Sequence, residues 1–116
     1  MKSTSVWTKD FQSVVDNGRN HSTVIDLPQQ AGGSNSGPTA LELCVMSFSG
    51  CIGTIFSLVA KKMRLEFDKM QVDVDAEKKD NAPTITDINC IITIKSQGGE
   101  EKIKKCLEHT LTQIMH

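Results

Sequence analysis

The chain has 116 residues with 13 basic and 14 acidic side chains, a net charge of −1, 38% hydrophobic residues and 4% aromatic ones. Near-neutral charge excludes the basic footprint of a nucleic-acid binder or an anionic-membrane protein. With no Tyr, one Trp and four Phe, a single domain of this length has a thin, mostly aliphatic core, so part of its burial is expected from a partner subunit.

The N-terminus lacks a basic start followed by an apolar run, so no signal peptide is expected. A cytoplasmic placement follows, where thiols stay reduced. In the N-terminal region 1–27, 3-STSVWT-8 and 11-FQSVV-15 are β-prone. The Asn17-Gly18 pair in 16-DNGRN-20 is a strong hairpin signal, and 22-STVIDL-27 reads as the returning strand. The Gly/Ser-rich loop 28–37 has nothing to bury and is expected to be a mobile connector.

Pro38 suits a first helical turn, with Ser36 or Gly37 near the cap. From there Leu41, Cys44, Val45, Phe48, Ile52, Ile55, Phe56, Val59 and Met63 recur at three- and four-residue steps. That spacing predicts a long amphipathic helix over 38–64. Its basic end, Lys61, Lys62 and Arg64, suits the negative pole of the helix dipole. Polar and glycine positions interrupt the apolar segment, so it is not expected to span a membrane.

The region 69–95 reads as two strands. In 69-KMQVDVDAE-77 Met70, Val72, Val74 and Ala76 alternate with polar residues, and 85-ITDINCIITIK-95 puts Ile88, Cys90, Ile92 and Ile94 on one face. Between them 78-KKDNAPT-84 is turn-like. Gly98-Gly99 ends the second strand, and 100–115 is a helix with Ile103, Leu107, Thr110, Leu111 and Ile114 on one side. The order β-β-β-α-β-β-α is an α+β fold of one domain, 1–116, with an antiparallel sheet packed on a long central helix.

The four cysteines, Cys44, Cys51, Cys90 and Cys106, form no CxxC pair and no zinc-like spacing with histidine. No metal, cofactor or disulfide framework is expected. Cys90 alternates with isoleucines, Cys106 lies on the apolar edge of the last helix, and Cys44 shares the helix stripe, so all three read as small core residues. Cys51 differs. Ser47, Ser49, Gly50, Gly53 and Thr54 surround it with small side chains, although glycine costs roughly 1 kcal/mol relative to alanine inside a helix. Those residues permit either a close packing seam, within the chain or across a dimer, or an accessible thiol in an apolar cleft. A reactive thiol also needs a nearby positive charge, which the helix stripe does not supply.

The segment 36-SGPTALELCVMSFSGCIGTIFSLVAKK-62 resembles the central segment of the osmotically inducible protein C and organic hydroperoxide resistance family (OsmC/Ohr). The strand 70-MQVDVDA-76 and the pair 18-GR-19 ahead of the Gly-rich loop extend the likeness along nearly the whole chain. The resemblance implies an intertwined homodimer with sites at the subunit interface. It also implies Cys51 as the peroxidatic residue and Arg19 as the arginine that contacts its thiolate. The expected function is reduction of organic hydroperoxides by the Cys51 thiolate, with an external thiol or dithiol as reductant.

Two positions depart from the family pattern. Leu41 stands where many active members have a glutamate that orients the arginine, while the adjacent Glu42 falls on the opposite face of a regular helix from Cys51. No cysteine follows Cys106, near where a resolving cysteine usually lies. The alternative expectation is therefore a catalytically degenerate dimer that binds a small apolar ligand or senses oxidants. A third is an interaction domain whose cysteines are all core.

Overall fold

Residues 1–82 and 84–114 are described by a computed structural model, in which the chain divides into two compact units, Met1–Cys44 and Val45–His116. The expected element order holds, with the strands distributed over two separate antiparallel sheets of three and two strands. Pro83, in the turn-like 78–84 segment, and Met115, at the end of the expected last helix, lie outside the described residues.

In the first unit β1 (Thr4–Lys9), β2 (Gln12–Asp16) and β3 (Ser22–Ile25) pair in the order β1-β2-β3. Val6 opposes Val14, and Val14 opposes Val24, so β-branched side chains stack across one face of the sheet. The β1–β2 turn is closed by Asp10 at φ 48°, a conformation that Asp tolerates. The Trp7 indole N–H donates to the Asp10 carbonyl at 2.8 Å.

The 28–37 loop, expected as a connector, is tied back to the end of β3 by hydrogen bonds. A short 3-10 turn occupies Gln29–Ala31, and the loop is gathered around the Asp26 carboxylate. That group is 3% exposed and accepts from the backbone N–H of Leu27 (2.7 Å), Ser36 (3.1 Å) and Ser34 (3.2 Å). Asp26 N–H donates in turn to the Pro38 carbonyl at 3.0 Å, which is why β3 stops at Ile25. The chain passes so close to itself that a Cβ at Gly33 would overlap the Leu27 carbonyl, and one at Gly37 the Val24 carbonyl.

The long helix α1 (Ala40–Lys62) starts later than expected because its cap is Thr39. Thr39 Oγ1 accepts from the Glu42 N–H at 3.0 Å, and Glu42 Oε1 accepts from the Thr39 N–H at 2.9 Å. This reciprocal capping box satisfies two backbone donors that a helix start otherwise leaves open.

At its other end α1 stops in a Schellman turn. Leu65 N–H donates to the Ala60 carbonyl (2.8 Å) and Arg64 N–H to the Lys61 carbonyl (3.2 Å). Arg64 takes the left-handed position at φ 55°, where helices usually place glycine.

The second unit holds the buried apolar core: Ile52, Phe56, Val59 and Ala60 of α1, Leu65 of the connection, and Cys106 of α2 (Glu100–Ile114). Phe56 is fully buried and meets Phe67 edge-on with ring centroids 5.5 Å apart. Burying a ring of that size stabilises by roughly 1.5–3 kcal/mol. On α2 the buried Thr110 hydroxyl donates to the Cys106 carbonyl at 2.8 Å, so no polar group is stranded there.

Strands β4 (Lys69–Glu77) and β5 (Asp87–Lys95) pair over their whole length, from Lys69 opposite Lys95 to Glu77 opposite Asp87. Met70, Val72, Val74 and Ala76 are half-buried, as their alternation requires. On β5 only Ile92 and Ile94 are half-buried, whereas Ile88 and Cys90 are exposed. This overturns the expectation that Cys90 is core. The core cluster reaches the hairpin at Met70 and Ile94, so the rungs beyond it lack that cover. Cys44 and Leu41, assigned to the apolar stripe, are also exposed. By length and composition alone α1 could cross a membrane, a test that the core helix of a soluble protein also passes.

Candidate active site

Cys51 sits on α1 in the second unit, and the orientation of the helix follows from its anchored face. Ile52, Phe56, Val59 and Ala60 hold one side in the core. Gly53 points toward β4, where an added Cβ would meet Met70 at 3.5 Å and Val72 at 4.0 Å. Cys51 is two residues earlier, about 200° round the helix, and so leaves on the side away from the sheet. Its side chain is exposed.

Cys44 and Leu58, one heptad to either side, share this outward stripe and are exposed as well. Nothing lies within 4 Å of a Cβ placed on Gly50. The neighbouring hydroxyls turn back on the helix: Ser49 Oγ donates to the Met46 carbonyl at 2.9 Å, and Ser57 Oγ to the Gly53 carbonyl at 2.8 Å. A small-residue surface therefore flanks the sulfur, and substrate-sized groups can approach it.

Arg19 belongs to the first unit, on the loop between β2 and β3. Asn17 organises that loop. Its Oδ1 accepts from the backbone N–H of Arg19 (2.8 Å) and of His21 (3.3 Å), and its backbone N–H donates to the His21 carbonyl at 3.1 Å. Gly18 and Asn20 take positive φ, which is the turn chemistry that the Asn-Gly pair signalled. Arg19 is exposed and lines a cavity of about 510 Å³ together with Lys2, Asn17 and Gly18. Arg19 and Cys51 thus lie on different units.

Glu42 is committed to the capping box with Thr39. The signal that reveals this is local, the Thr-x-x-Glu spacing of 39-TALE-42, which the neighbouring Pro38 obscured. Asp26 was also missed, because its partners lie one, eight and ten residues ahead and form no local motif. Burial pushes the Asp26 carboxyl up, but the N–H groups of Leu27, Ser36 and Ser34 and the Ser36 hydroxyl outweigh it and hold the group below the usual aspartate range.

Cys106, expected in the core, is fully buried there. Burial pushes its thiol up, against a smaller opposing effect of the Thr110 hydroxyl, and its S–H faces the Phe56 carbonyl at 3.8 Å. Among the described residues no group of three His, Cys, Asp or Glu side chains could hold a metal ion.

The family model described as OsmC-like protein matches residues 33–113. The chain belongs to the OsmC-like protein family. Solved structures of similar fold include an osmotic-stress-induced and detoxification-response protein of Psychrobacter arcticus, with a TM-score of 0.84 at 17% identity over 97% of this chain and 82% of that one. An OsmC-like protein from Mycoplasma pneumoniae gives a TM-score of 0.84 at 17% identity, over 97% of this chain and 80% of that one. The organic hydroperoxide resistance protein OhrB of Bacillus subtilis gives 0.61 at 17% identity, over 97% and 83%. Comparison with curated protein sequences gives no match. The OsmC-like match covers the Gly-rich loop from residue 33, α1 with Cys51, both β4 and β5, and nearly all of α2.

Proposed function

We propose that this OsmC-like protein acts in hydroperoxide defence as a thiol-dependent peroxidase, with Cys51 as the reacting group. The observation that carries the reading is the exposed Cys51 thiol on the outward, small-residue face of a helix whose other face is locked in the core. Family membership and fold relatives named as organic hydroperoxide resistance proteins support it.

The Cys51 thiolate attacks the terminal oxygen of ROOH. An S–O bond forms, the O–O bond breaks, and the leaving alkoxide takes a proton to become ROH. Sulfur is oxidised by two electrons to sulfenic acid, the reversible first step of thiol oxidation. Two thiols from an external reductant return it to Cys51 thiol, releasing water and forming their own disulfide.

Arg19 supplies the cation in this proposal. A guanidinium stays charged at any physiological pH, so it stabilises the thiolate and the negative charge developing on the leaving oxygen. The protein works as a homodimer in a reducing compartment, with the sites at the subunit interface.

The second reading, a degenerate member that binds an apolar ligand or senses oxidants, is favoured by one observation. Leu41 occupies the glutamate position of the resemblance, and the adjacent Glu42 is engaged by Thr39. Consumption of cumene hydroperoxide with a dithiol separates the two. Turnover by the wild type that Cys51→Ser abolishes supports the peroxidase. A wild type that turns over no faster than Cys51→Ser refutes it. Arg19→Ala should slow alkylation of Cys51 at neutral pH by removing the cation that stabilises its thiolate in this proposal, and Arg19→Lys should restore only part of the rate. Unchanged rates would leave Arg19 as a loop residue without a role at the sulfur.

A further inference from the structure

The loop that carries Arg19 is clasped between two side chains, Asn17 and His21. The Asn17 backbone N–H donates to the His21 carbonyl at 3.1 Å. Its Oδ1 accepts twice, from the backbone N–H of Arg19 at 2.8 Å and of His21 at 3.3 Å. Its Nδ2 lies 3.0 Å from His21 Nδ1. An amide nitrogen can only donate, so this contact requires Nδ1 to accept, in a neutral imidazole that carries its proton on Nε2.

Arg19 stands between two left-handed positions, Gly18 at φ 78° and Asn20 at φ 68°, and its own N–H makes the shorter bond to Asn17 Oδ1. The Asn17 amide therefore sets how Arg19 leaves the loop. Turning that amide over would put Nδ2 against the N–H groups of Arg19 and His21, donor against donor. A protonated His21 donates from both ring nitrogens, so no arrangement of Asn17 meets it and also keeps the two backbone bonds. The ring is exposed and exchanges protons with solvent directly. Lys2, ahead of β1, and Asp16, at the end of β2, line the same depression as His21. The Asp16 carboxylate already accepts from the Gly18 N–H at 3.2 Å, and β3 brings no charged side chain.

We propose that His21 is a positioning residue for Arg19: as a neutral acceptor it holds the Asn17 amide, and with it the Arg19 segment, in this conformation, and its protonation releases them. The consequence for Cys51 rests on the proposed function, in which Arg19 is the cation at the thiolate. Histidine changes charge between about pH 5 and 8, so acid loosens the Arg19 segment in that range, in addition to any protonation of the thiol itself. The competing account is that the Asn17 turn holds Arg19 unaided. It predicts that replacing His21 leaves Arg19 and Cys51 unaffected.

The test uses the full chain. In the wild type the Arg19 amide shift should follow the His21 ring through its titration. His21→Asn puts an acceptor oxygen in the place of Nδ1 and does not titrate, so that step should vanish. Alkylation of Cys51 by iodoacetamide gives the functional reading. The ratio of wild-type to His21→Asn rates should be near one at about pH 7.5 and fall to about one-fifth at about pH 5, the scale of one net hydrogen bond. Taking the ratio cancels the groups common to both proteins, the Cys51 thiol included. His21→Ala, with no acceptor, should be slower than His21→Asn by a similar factor at the higher pH. An Arg19 amide that ignores the His21 titration, or a step that persists in His21→Asn, would overturn the proposal. So would a flat ratio in a protein whose alkylation Arg19→Ala slows. A flat ratio where Arg19→Ala also alkylates at the wild-type rate overturns instead the role of Arg19 at the sulfur, and with it the consequence drawn for Cys51.

Discussion

Cys51 is reachable because of what its neighbours do at single-residue resolution. Gly53 faces the β4 side chains, so a residue two positions earlier must face away, and Cys90 on β5 is on the far side of the helix from it. Cys44 is on the same stripe, but seven helical residues separate the two sulfurs by roughly 10 Å of rise, beyond the roughly 7 Å that Cα atoms in a disulfide allow. Cys106 is fully buried against Phe56. The sulfenic acid formed on Cys51 should therefore persist. One equivalent of cumene hydroperoxide followed by dimedone should give a Cys51 adduct in peptide mapping. A Cys51–Cys106 disulfide in high yield would show that α2 opens to supply a resolving thiol. The sequence separated Cys51 from the other cysteines by its small neighbours, and it placed Cys106 correctly. It misplaced Cys90, because a partly covered strand alternates in the same way as a fully covered one.

At the scale of elements, two polar devices define how the chain passes from β3 into α1. The capping box is worth about 1 kcal/mol by analogy with other caps, so Glu42→Ala should lower unfolding stability by about that amount. If capping is its whole role, the same variant should alkylate Cys51 at the wild-type rate. A slowed rate at unchanged stability would instead mean that Glu42 orients Arg19. The second device is Asp26, whose carboxyl is held below the usual aspartate range in the folded chain. A depressed folded value means that the unfolded chain binds the proton more tightly. Its stabilisation is therefore fully present above the ordinary aspartate value and is lost as pH falls through the lower folded value. Thermal unfolding of wild type and Asp26→Asn should show a gap that is constant near neutrality and closes on acidification below about pH 4. A gap unchanged down to pH 2.5 would remove Asp26 as the titrating anchor. Periodicity found the strands and helices flanking this passage, but hydrogen bonds across eight and ten residues leave no periodic trace.

The whole molecule presents more apolar surface than a self-sufficient fold would. In the first unit no apolar side chain among the described residues is fully buried, and Val6, Trp7 and Phe11 are 59%, 68% and 56% exposed. Units of about this length seldom stand alone without a disulfide, a metal or a partner. In the second unit Leu58 on α1 and Ile88 and Ile91 on β5 are exposed. Composition alone pointed to missing cover, because so few aromatics cannot fill a large core. It could not tell which positions await a partner, since Ile88 and Ile92 alternate identically along β5 while only Ile92 is half-buried. The proposed homodimer would cover exposed apolar residues on both units. Light scattering at micromolar concentration should then give twice the 12.7 kDa chain mass. Ile91→Lys places a charge on that surface without touching the buried core, so it should shift the equilibrium toward monomer and lower Tm in a concentration-dependent way. A wild-type chain that stays monomeric at micromolar concentration, with a cooperative unfolding transition independent of concentration, would show that these residues need no partner.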